Sequence, residues 1–408
     1  MLTSRIVRGL VVSVVLPSAV ACVHYRRASV DPAAMVASAP LPPKGPIAYD
    51  DAVRWALAHD PDLLALRARA AAVNLSPTRE PIEAEAGRDS DGRKEGAVTI
   101  DALSLLGLGT RPAELALACA RRSEAWLRHH ERAREIAGEI ARTFAVEQAL
   151  TALPTPTVPL DAEAYVRAGL EAGAARGAVA STDAQSKAEL AARDEERARN
   201  RRALCRLLGV GPGTDVVPAP VDAAWPAVPT ATPAALLVTR GDVQRSLAEF
   251  ETADAELRRA VALQYPSLLL TPGLALNPAT FFGSVGVRLP IGAAPEARAA
   301  EQAREAARQE VASLLLDGMQ RAADARDAFA LADVRVETAR TRVASDQELF
   351  RAAKAHLETG TGTMLETIFA GREVVDASTG IREAIVEAAK ARVEAARAAG
   401  WPSAEAVR

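Results

Sequence analysis

Histidines and cysteines are the residues of this sequence best suited to metal binding or covalent chemistry, and their spacing supports neither. The five histidines are His24, His59, His129, His130 and His356. The adjacent pair His129 and His130 lacks the spacing of four that puts two ligands on one helix face, so we expect no metal site. The sequence also shows no grouping of nucleophile, base and orienting residue and no phosphate-binding glycine loop. It therefore suggests no catalysis and no cofactor.

Cys119 and Cys205 both lie in strongly helical surroundings. We expect two small buried residues at helix contacts, with a disulfide between them as the alternative.

Cys22 is the cysteine for which the sequence predicts a covalent modification. Met1 to Ala21 has a basic start with Arg5 and Arg8, an apolar run and small residues before Cys22, which is typical of a secretory signal. The ending Ala-Val-Ala-Cys resembles the bacterial lipobox, so we expect lipidation of Cys22. The alternative is an ordinary signal cleaved at the same place, with Cys22 incidental.

Composition favours long helices. The chain is 49% hydrophobic and 25% charged but only 4% aromatic, and alanine and arginine dominate, which suits helices packed closely through small side chains. A formal net charge of −3 gives no overall basic field, so we expect no nucleic-acid partner.

Proline-rich stretches divide the chain into two halves with one plan. Asp60-Pro61-Asp62-Leu63 corresponds to Arg240-Gly241-Asp242-Val243, and Gly177 with Asp183 corresponds to Gly360 with Glu366, both at an offset near 180. This correspondence predicts an internal two-fold repeat. The segment from Tyr49 to Val73 is predicted to form a helix pair or a kinked helix, interrupted near Asp60-Pro61.

Two segments in the second half alternate between apolar and polar residues. Ser267 to Leu276 and Phe281 to Ile291 each have a period of two over about ten residues, the length that crosses a bilayer at barrel tilt. In the second segment the apolar residues lie opposite Ser284, Gly286 and Arg288, so Arg288 is expected to face the barrel lumen. The alternative to membrane-spanning strands is a buried periplasmic hairpin with one solvent-exposed face. The first half predicts a weaker hairpin, with strands at 81–86 and 97–106 and a charged loop between them.

The region from about Pro295 to Leu357 predicts a helix of about 60 residues with a coiled-coil repeat. One set of positions has the spacing of seven, and small residues follow three positions later: Leu315, Ala322, Phe329, Val336, Val343, Phe350 and Leu357, with Gly318, Ala325, Ala332, Ala339 and Ala353. Asp346 is the exception in the small series. The last helix repeats this arrangement, and the first half shows it more faintly in Gly177, Ala184, Ala191, Ala198 and Cys205. Alanine-rich repeats of this kind also build rods and bundles that transport nothing.

Together these residues resemble the TolC-like outer-membrane efflux family from Ile47 to Gly400. The segments that carry the resemblance are YDDAVRWALAHDPDLLALRARAAA, LCRLLGV, QYPSLLLTPGLALNPATFFGSVGVRLPIG and ETGTGTMLETIFAGREV. The phrase RGDVQRSLAEFETADAELRRAVALQYPSLLLTPG is most similar to the heavy-metal (CzcC-like) branch.

The resemblance implies a mainly α fold with a small β part. Long antiparallel coiled-coil helices would form a periplasmic tunnel, and four strands per chain would contribute to the twelve-stranded barrel of a homotrimer. The chain would be an outer-membrane, lipid-anchored channel subunit that extends into the periplasm. It would work with a periplasmic adaptor protein and an inner-membrane pump as a passive duct for small molecules or metal ions. A non-channel periplasmic lipoprotein that acts as a scaffold or adaptor is the alternative.

The resemblance also assigns the periplasmic tip to two turns. Their residues are Gly177, Ser181, Thr182 and Asp183 in the first, and Gly360, Gly362, Thr363 and Glu366 in the second. Asp183, Glu358 and Glu366 are candidate tunnel carboxylates that would form threefold rings favouring cations. Ordinary solvated charge at helix ends is the alternative for these three residues.

The expected organisation follows from these assignments. It comprises a signal peptide (1–21), a lipid-anchored flexible tether (22–46), a first repeat (47–211), a proline-rich linker (212–233), a second repeat (234–400) and a tail (401–408).

Overall fold

The computed structural model describes residues 45–73, 82–88, 94–101, 110–153, 158, 166, 172–211, 214–222, 225–229, 237–276, 280–289 and 293–402. The predicted signal peptide, Cys22 and most of the tether lie outside the described residues. None of the described helices has a stretch both apolar enough and long enough to cross a bilayer as a helix.

The first two helices confirm the predicted interruption at Asp60-Pro61. Helix α1 spans Tyr49–His59 and α2 spans Pro61–Ala71. Asp60 is extended, with φ −65° and ψ 121°, and its side chain accepts a hydrogen bond from Leu63 N at 2.8 Å. An aspartate cap followed by proline at the first helical position ends one helix and starts the next.

A two-stranded pairing ties the start of the described chain to the proline-rich stretch. Strand β1 (Pro46–Ile47) pairs in parallel with β4 (Val217–Pro218), and Ala219 N donates to Ile47 O at 2.8 Å. Val216 is buried beside this pairing, in the same core as Phe144 and Leu204. The described residues of the predicted linker therefore pack on the core as well as joining the two halves.

Four antiparallel strands form the second sheet, in the order β2–β3–β5–β6. Their bounds are β2 Ile82–Arg88, β3 Lys94–Asp101, β5 Ser267–Leu276 and β6 Thr280–Arg288. The hairpin of the first half begins its second strand three residues earlier than expected, so the predicted loop is shorter. The predicted strand to Ile291 ends at Arg288, two residues before Pro290.

Proline also interrupts the contact between the two hairpins. β3 and β5 pair from Lys94–Leu276 to Ala97–Gly273, and pairing resumes at Ile100–Leu270. Pro272 falls in the gap between these paired positions. Because proline has no N–H to donate, it weakens the ladder at this point.

Helix α3 (Arg111–Thr151) and helix α4 (Ala172–Leu207) complete the first half. The second half contains α5 (Gly241–Ala262), α6 (Ala293–Glu358) and α7 (Met364–Ala398). At 1.5 Å per residue, the 66 residues of α6 extend roughly 99 Å. The chain is mainly helical, with a small β part, as predicted.

The predicted coiled-coil repeat of α6 is buried against α7. Ala332 and Val336 form one apolar cluster with Ala388, and Phe350 forms another with Val374 and Val375. Gly371 permits the close packing of the second cluster, because a Cβ atom there would lie 3.0 Å from Val158 Cγ1 and 3.4 Å from Phe350 Cε2.

The predicted small residues of the first half are mostly exposed within one chain. Gly177, Ala184, Ala191 and Ala198, which form the fainter repeat, are all exposed on α4. The helix instead presents its opposite face, with Thr182 and Glu189, to the rest of the chain. Cys119 was expected to be buried and is exposed, whereas Cys205 is buried as predicted.

Candidate functional site

One face of strand β6 and of Leu289, the residue that follows it, exposes a row of apolar side chains. Val285, Val287 and Leu289 are 72%, 62% and 65% exposed, and they alternate with Ser284 and Gly286. This is the alternation predicted for the segment. Apolar side chains exposed in a regular row on a strand need a partner surface or lipid, because leaving them in water forfeits the free energy of burial.

Two predicted site residues are not described at the level of their side chains. Arg288 is the last residue of β6 and its backbone pairs with Ser267, but the placement of its side chain lies outside the described residues. Cys22 lies outside the described residues altogether.

The turn between α6 and α7 occupies residues 359–363, within the second predicted tip turn. Gly360 has φ +74°, a conformation that L side chains rarely adopt. A Cβ atom on Gly362 would lie 2.7 Å from His356 Cβ, so the close return of the chain requires glycine there as well.

Thr363 and Glu366 fix the start of α7. Thr363 Oγ1 accepts from Glu366 N at 3.4 Å, and Glu366 Oε2 accepts from Thr363 N at 3.0 Å. This reciprocal capping box satisfies two backbone donors at the helix start. Glu366 is thus held by its own turn, whereas Glu358 ends α6 as an exposed residue.

The first predicted tip turn is not a turn. Gly177, Ser181, Thr182 and Asp183 all lie inside α4, and Thr182 Oγ1 donates to Ala178 O at 3.2 Å within the same helix. The position three residues after Gly177, which corresponds to Thr363, is Ala180. Since alanine has no side-chain oxygen to cap a helix start, the local signal for a turn is missing and the helix continues.

The two predicted tip regions nevertheless meet at one end of the helices. Met364 and Ile368 at the start of α7 pack against Ala178 and Val179 of α4. Asp183 is exposed on α4, beyond the buried Thr182. The structure therefore brings the three candidate carboxylates to the same end of the protein.

A buried ionic network holds α4 against α7, and it was not predicted from the sequence. Arg382 Nε donates to Glu189 Oε1 at 2.6 Å, and Arg382 Nη1 donates to Glu196 Oε2 at 2.9 Å. The side chains of Arg382 and Glu189 are 14% and 9% exposed. Burial works against the charge of Arg382, but the two carboxylates outweigh it and raise the pKa of the guanidinium.

Two more polar contacts extend this attachment of α4. Arg372 Nη2 of α7 donates to Ser181 Oγ at 3.2 Å, nearer the turn. A third helix also contributes, since Glu147 of α3 accepts from Arg197 and Arg201 of α4 at 3.0 and 3.1 Å. The carboxylate of Glu147 is only 5% exposed. Between Asp183 and Ala203, α4 is therefore held mainly by charged side chains.

The sequence contained a weak signal for this network. Glu189 and Glu196 have the spacing of seven that also marks the alanine series, but they follow the opposite face of α4. Sequence reasoning favoured the alanines because small residues are more common than charges at helix contacts. Within the described ranges, no three His, Cys, Asp or Glu residues come together as potential metal ligands.

Replacing Arg382 with glutamine should loosen α4. The substitution leaves the buried Glu189 and the half-buried Glu196 without this cation, which costs about 1.5–3 kcal/mol for charged hydrogen bonds. Hydrogen–deuterium exchange of α4 amides between residues 183 and 200 should become about ten- to a hundredfold faster, while exchange at the contact between α6 and α7 stays the same.

Arg340→Gln is the matched control. Arg340 is 61% exposed and its ion pair, at 3.7 Å, is with Glu337 on its own helix, so we expect a change within about 0.5 kcal/mol. Equal exchange in α4 for both variants would show that the Arg382 network does not hold this helix.

No protein-family model matches the sequence, and no curated protein matches it. Solved structures do resemble it. The outer-membrane channel OprN has 17% identity and a TM-score of 0.67, over 93% of this chain and 98% of its own. The open MtrE outer-membrane channel of Neisseria gonorrhoeae has 17% identity and a TM-score of 0.66, over 86% of this chain and 88% of its own. The outer-membrane protein VceC of Vibrio cholerae has 17% identity and a TM-score of 0.62, over 86% and 96%. The chain therefore has the TolC-like fold of outer-membrane channel proteins.

Proposed function

We propose that this protein is an outer-membrane channel subunit of a tripartite efflux system and serves as a passive export duct. The observation that carries the proposal is the open apolar face of β6 on a sheet built from both halves of the chain. Likeness to outer-membrane channels over nearly the whole chain supports it. In this role the exposed apolar residues contact lipid, and the opposite face, including Arg288, lines the lumen.

The proposal requires several copies of the chain. Four strands cannot close a pore, whereas the twelve strands of a homotrimer can form a barrel. The order of helices and strands supports the internal two-fold repeat, since each half has a hairpin followed by two long helices. The end of the helices near Gly360 would dock on a periplasmic adaptor or an inner-membrane pump. The duct would export small molecules or metal ions, and the sequence phrase that is similar to the heavy-metal branch favours metal ions.

Residues 1–46 would anchor the channel. In this proposal the signal is cleaved before Cys22, its thiol and new N-terminus are acylated, and residues 22–46 form the tether. The mature chain should then begin at Cys22 and be heavier than its sequence by the mass of the acyl groups. Intact mass spectrometry of protein from the membrane fraction tests this, and an unmodified mature chain would exclude lipidation.

Channel activity is tested by ion conductance in planar bilayers, with variants on the two faces of β6. Val285→Arg puts a charge on the proposed lipid face, at a cost of about 2–4 kcal/mol near the bilayer midplane. We expect it to reduce the amount of assembled, conducting protein in the outer-membrane fraction. Ser284→Arg puts the same charge on the opposite face and should preserve assembly.

Absence of conductance from the unsubstituted protein, together with a detergent-free soluble monomer, would favour the scaffold instead. Equal tolerance of both arginine variants would argue against a lipid-facing β6.

The carboxylates near the turn give a separate prediction about selectivity. If Asp183, Glu358 and Glu366 form threefold rings at the narrow end, neutralising all three as Asn, Gln and Gln should lower the preference for cations. The measurement is the reversal potential of single channels in a salt gradient. Unchanged selectivity would mean that these residues are ordinary solvated helix-end charges.

A further inference from the structure

Three helices form a layer near the turn, with α7 in the middle. On one side, Arg382 of α7 pairs with Glu189 of α4. On the other side, Arg342 of α6 pairs with Glu373 of α7 at 3.1 Å. The outer faces of α4 and α6 are therefore the two edges of the layer.

The edge on α4 is made of small residues, here called the small edge: Gly177, Ala184, Ala191 and Ala198. All four are exposed, and a Cβ atom on Gly177 would have no other atom within 4 Å. Ala184 follows the buried Thr182 by two residues, which is about 200° around a helix. The small edge thus faces away from α7. Small residues at a spacing of seven permit the close approach of another helix along several turns.

The edge on α6 carries large apolar residues, here called the apolar edge: Leu331, Val334 and Leu349. They are 52%, 61% and 60% exposed. Between them, the hydroxyls of Thr338 and Thr341 donate hydrogen bonds to the carbonyl oxygens of Val334 and Glu337, at 2.9 and 3.0 Å. The threonine hydroxyls donate within the helix, so burying them against another helix would leave no hydroxyl donor unpaired.

The two edges lie at matching heights. α4 runs parallel to α7, since Ser181 contacts Arg372 and Glu189 contacts Arg382. α6 runs antiparallel to α7, and Arg392 of α7 lies 5.2 Å from the ring centroid of Phe329. These contacts bring Ala198 and Leu331 to about the same level. By the same comparison, Leu349 is level with Ala180.

We propose that the small edge of α4 in one copy of this chain receives the apolar edge of α6 in the next copy. This proposal rests on the proposed trimeric channel and identifies its subunit contact. Large side chains on one edge fit small residues on the other. Because both edges lie at the same height, each copy is related to the next by rotation without translation, so the contacts close into a ring.

Charged residues along the two edges support a second copy of this chain as the binding partner. Arg335 on α6 is level with Asp194 and Glu195 on α4, and all three are exposed. Opposite charges at one level favour the matched alignment over a shift of one or two turns.

Cross-linking of engineered cysteines tests the contact in full-length protein purified in detergent. The variant carries Leu331→Cys and Ala198→Cys, with the exposed Cys119 replaced by serine. Within one chain, α7 separates the two positions by roughly 16–20 Å, at 8–10 Å per helix contact, beyond the reach of a disulfide. Oxidation should therefore yield covalent dimers and trimers on non-reducing gels, and reductant should reverse them.

Leu331→Cys with Ala184→Cys is the matched control. Ala184 belongs to the same edge but lies about 21 Å further along the helix, so we expect at least tenfold less cross-linked chain. A second test pair, Leu349→Cys with Ala180→Cys, should cross-link as the first does and covers the case in which the first variant fails to fold.

Native mass spectrometry of the same samples separates this inference from the proposed function. A trimer in which neither test pair cross-links, or in which the control pair cross-links better, would overturn the proposed contact while leaving the channel intact. A monomer would overturn both.

Discussion

The fold depends on one constraint: a helix of 66 residues must be covered along its length to be stable. α7 provides this cover over the half of α6 nearest the turn, through a seven-residue repeat in which alternate contact positions are small, as with Ala332 against Ala388. The other half of α6 contacts α5, as in the ion pair between Arg304 and Asp254 at 3.5 Å. Close approach maximises van der Waals contact between the two helices. The turn at Gly360 and the cap at Thr363 then join two helices that already match over many turns.

The two sides of α7 differ in chemistry. Its buried contact with α6 is mainly apolar, whereas its contact with α4 uses Arg382, Glu189 and Glu196. Buried ion pairs require precise geometry because the charges lose their hydration, so they specify alignment more than they add stability. Apolar contacts between small residues specify the alignment of two helices along their axes less strictly than buried ion pairs do. α4 is therefore aligned by its charges, and α6 by the length and regularity of its repeat.

The sheet joins the two halves of the chain through β3 and β5, and it leaves β2 and β6 as its edges in the part of the chain that the structure describes. Exposed strand edges with apolar faces are a risk for aggregation unless another strand or lipid covers them. In the proposed channel, a barrel shared among several copies would remove the edges, and the outward residues Val285 and Val287 would contact lipid. The helices likewise have exposed surfaces that could be covered by another chain, because the outer faces of α4 and α6 are exposed in one chain.

The sequence by itself determined the features that depend on local chemistry. Asp60-Pro61 predicted a helix break, Gly360 with Thr363 and Glu366 predicted a turn, and strict alternation predicted β5 and β6. It failed where the outcome depends on which face of a helix finds a partner. The charged face of α4 with Glu189 contacts α7 while Ala184 and Ala191 are exposed within one chain, Gly177 looked like a turn and is helical, and the sequence held only a weak signal for the ionic network of Arg382. Only the tertiary structure decides such cases, because a helix with two usable faces is oriented by its neighbours and not by its own sequence.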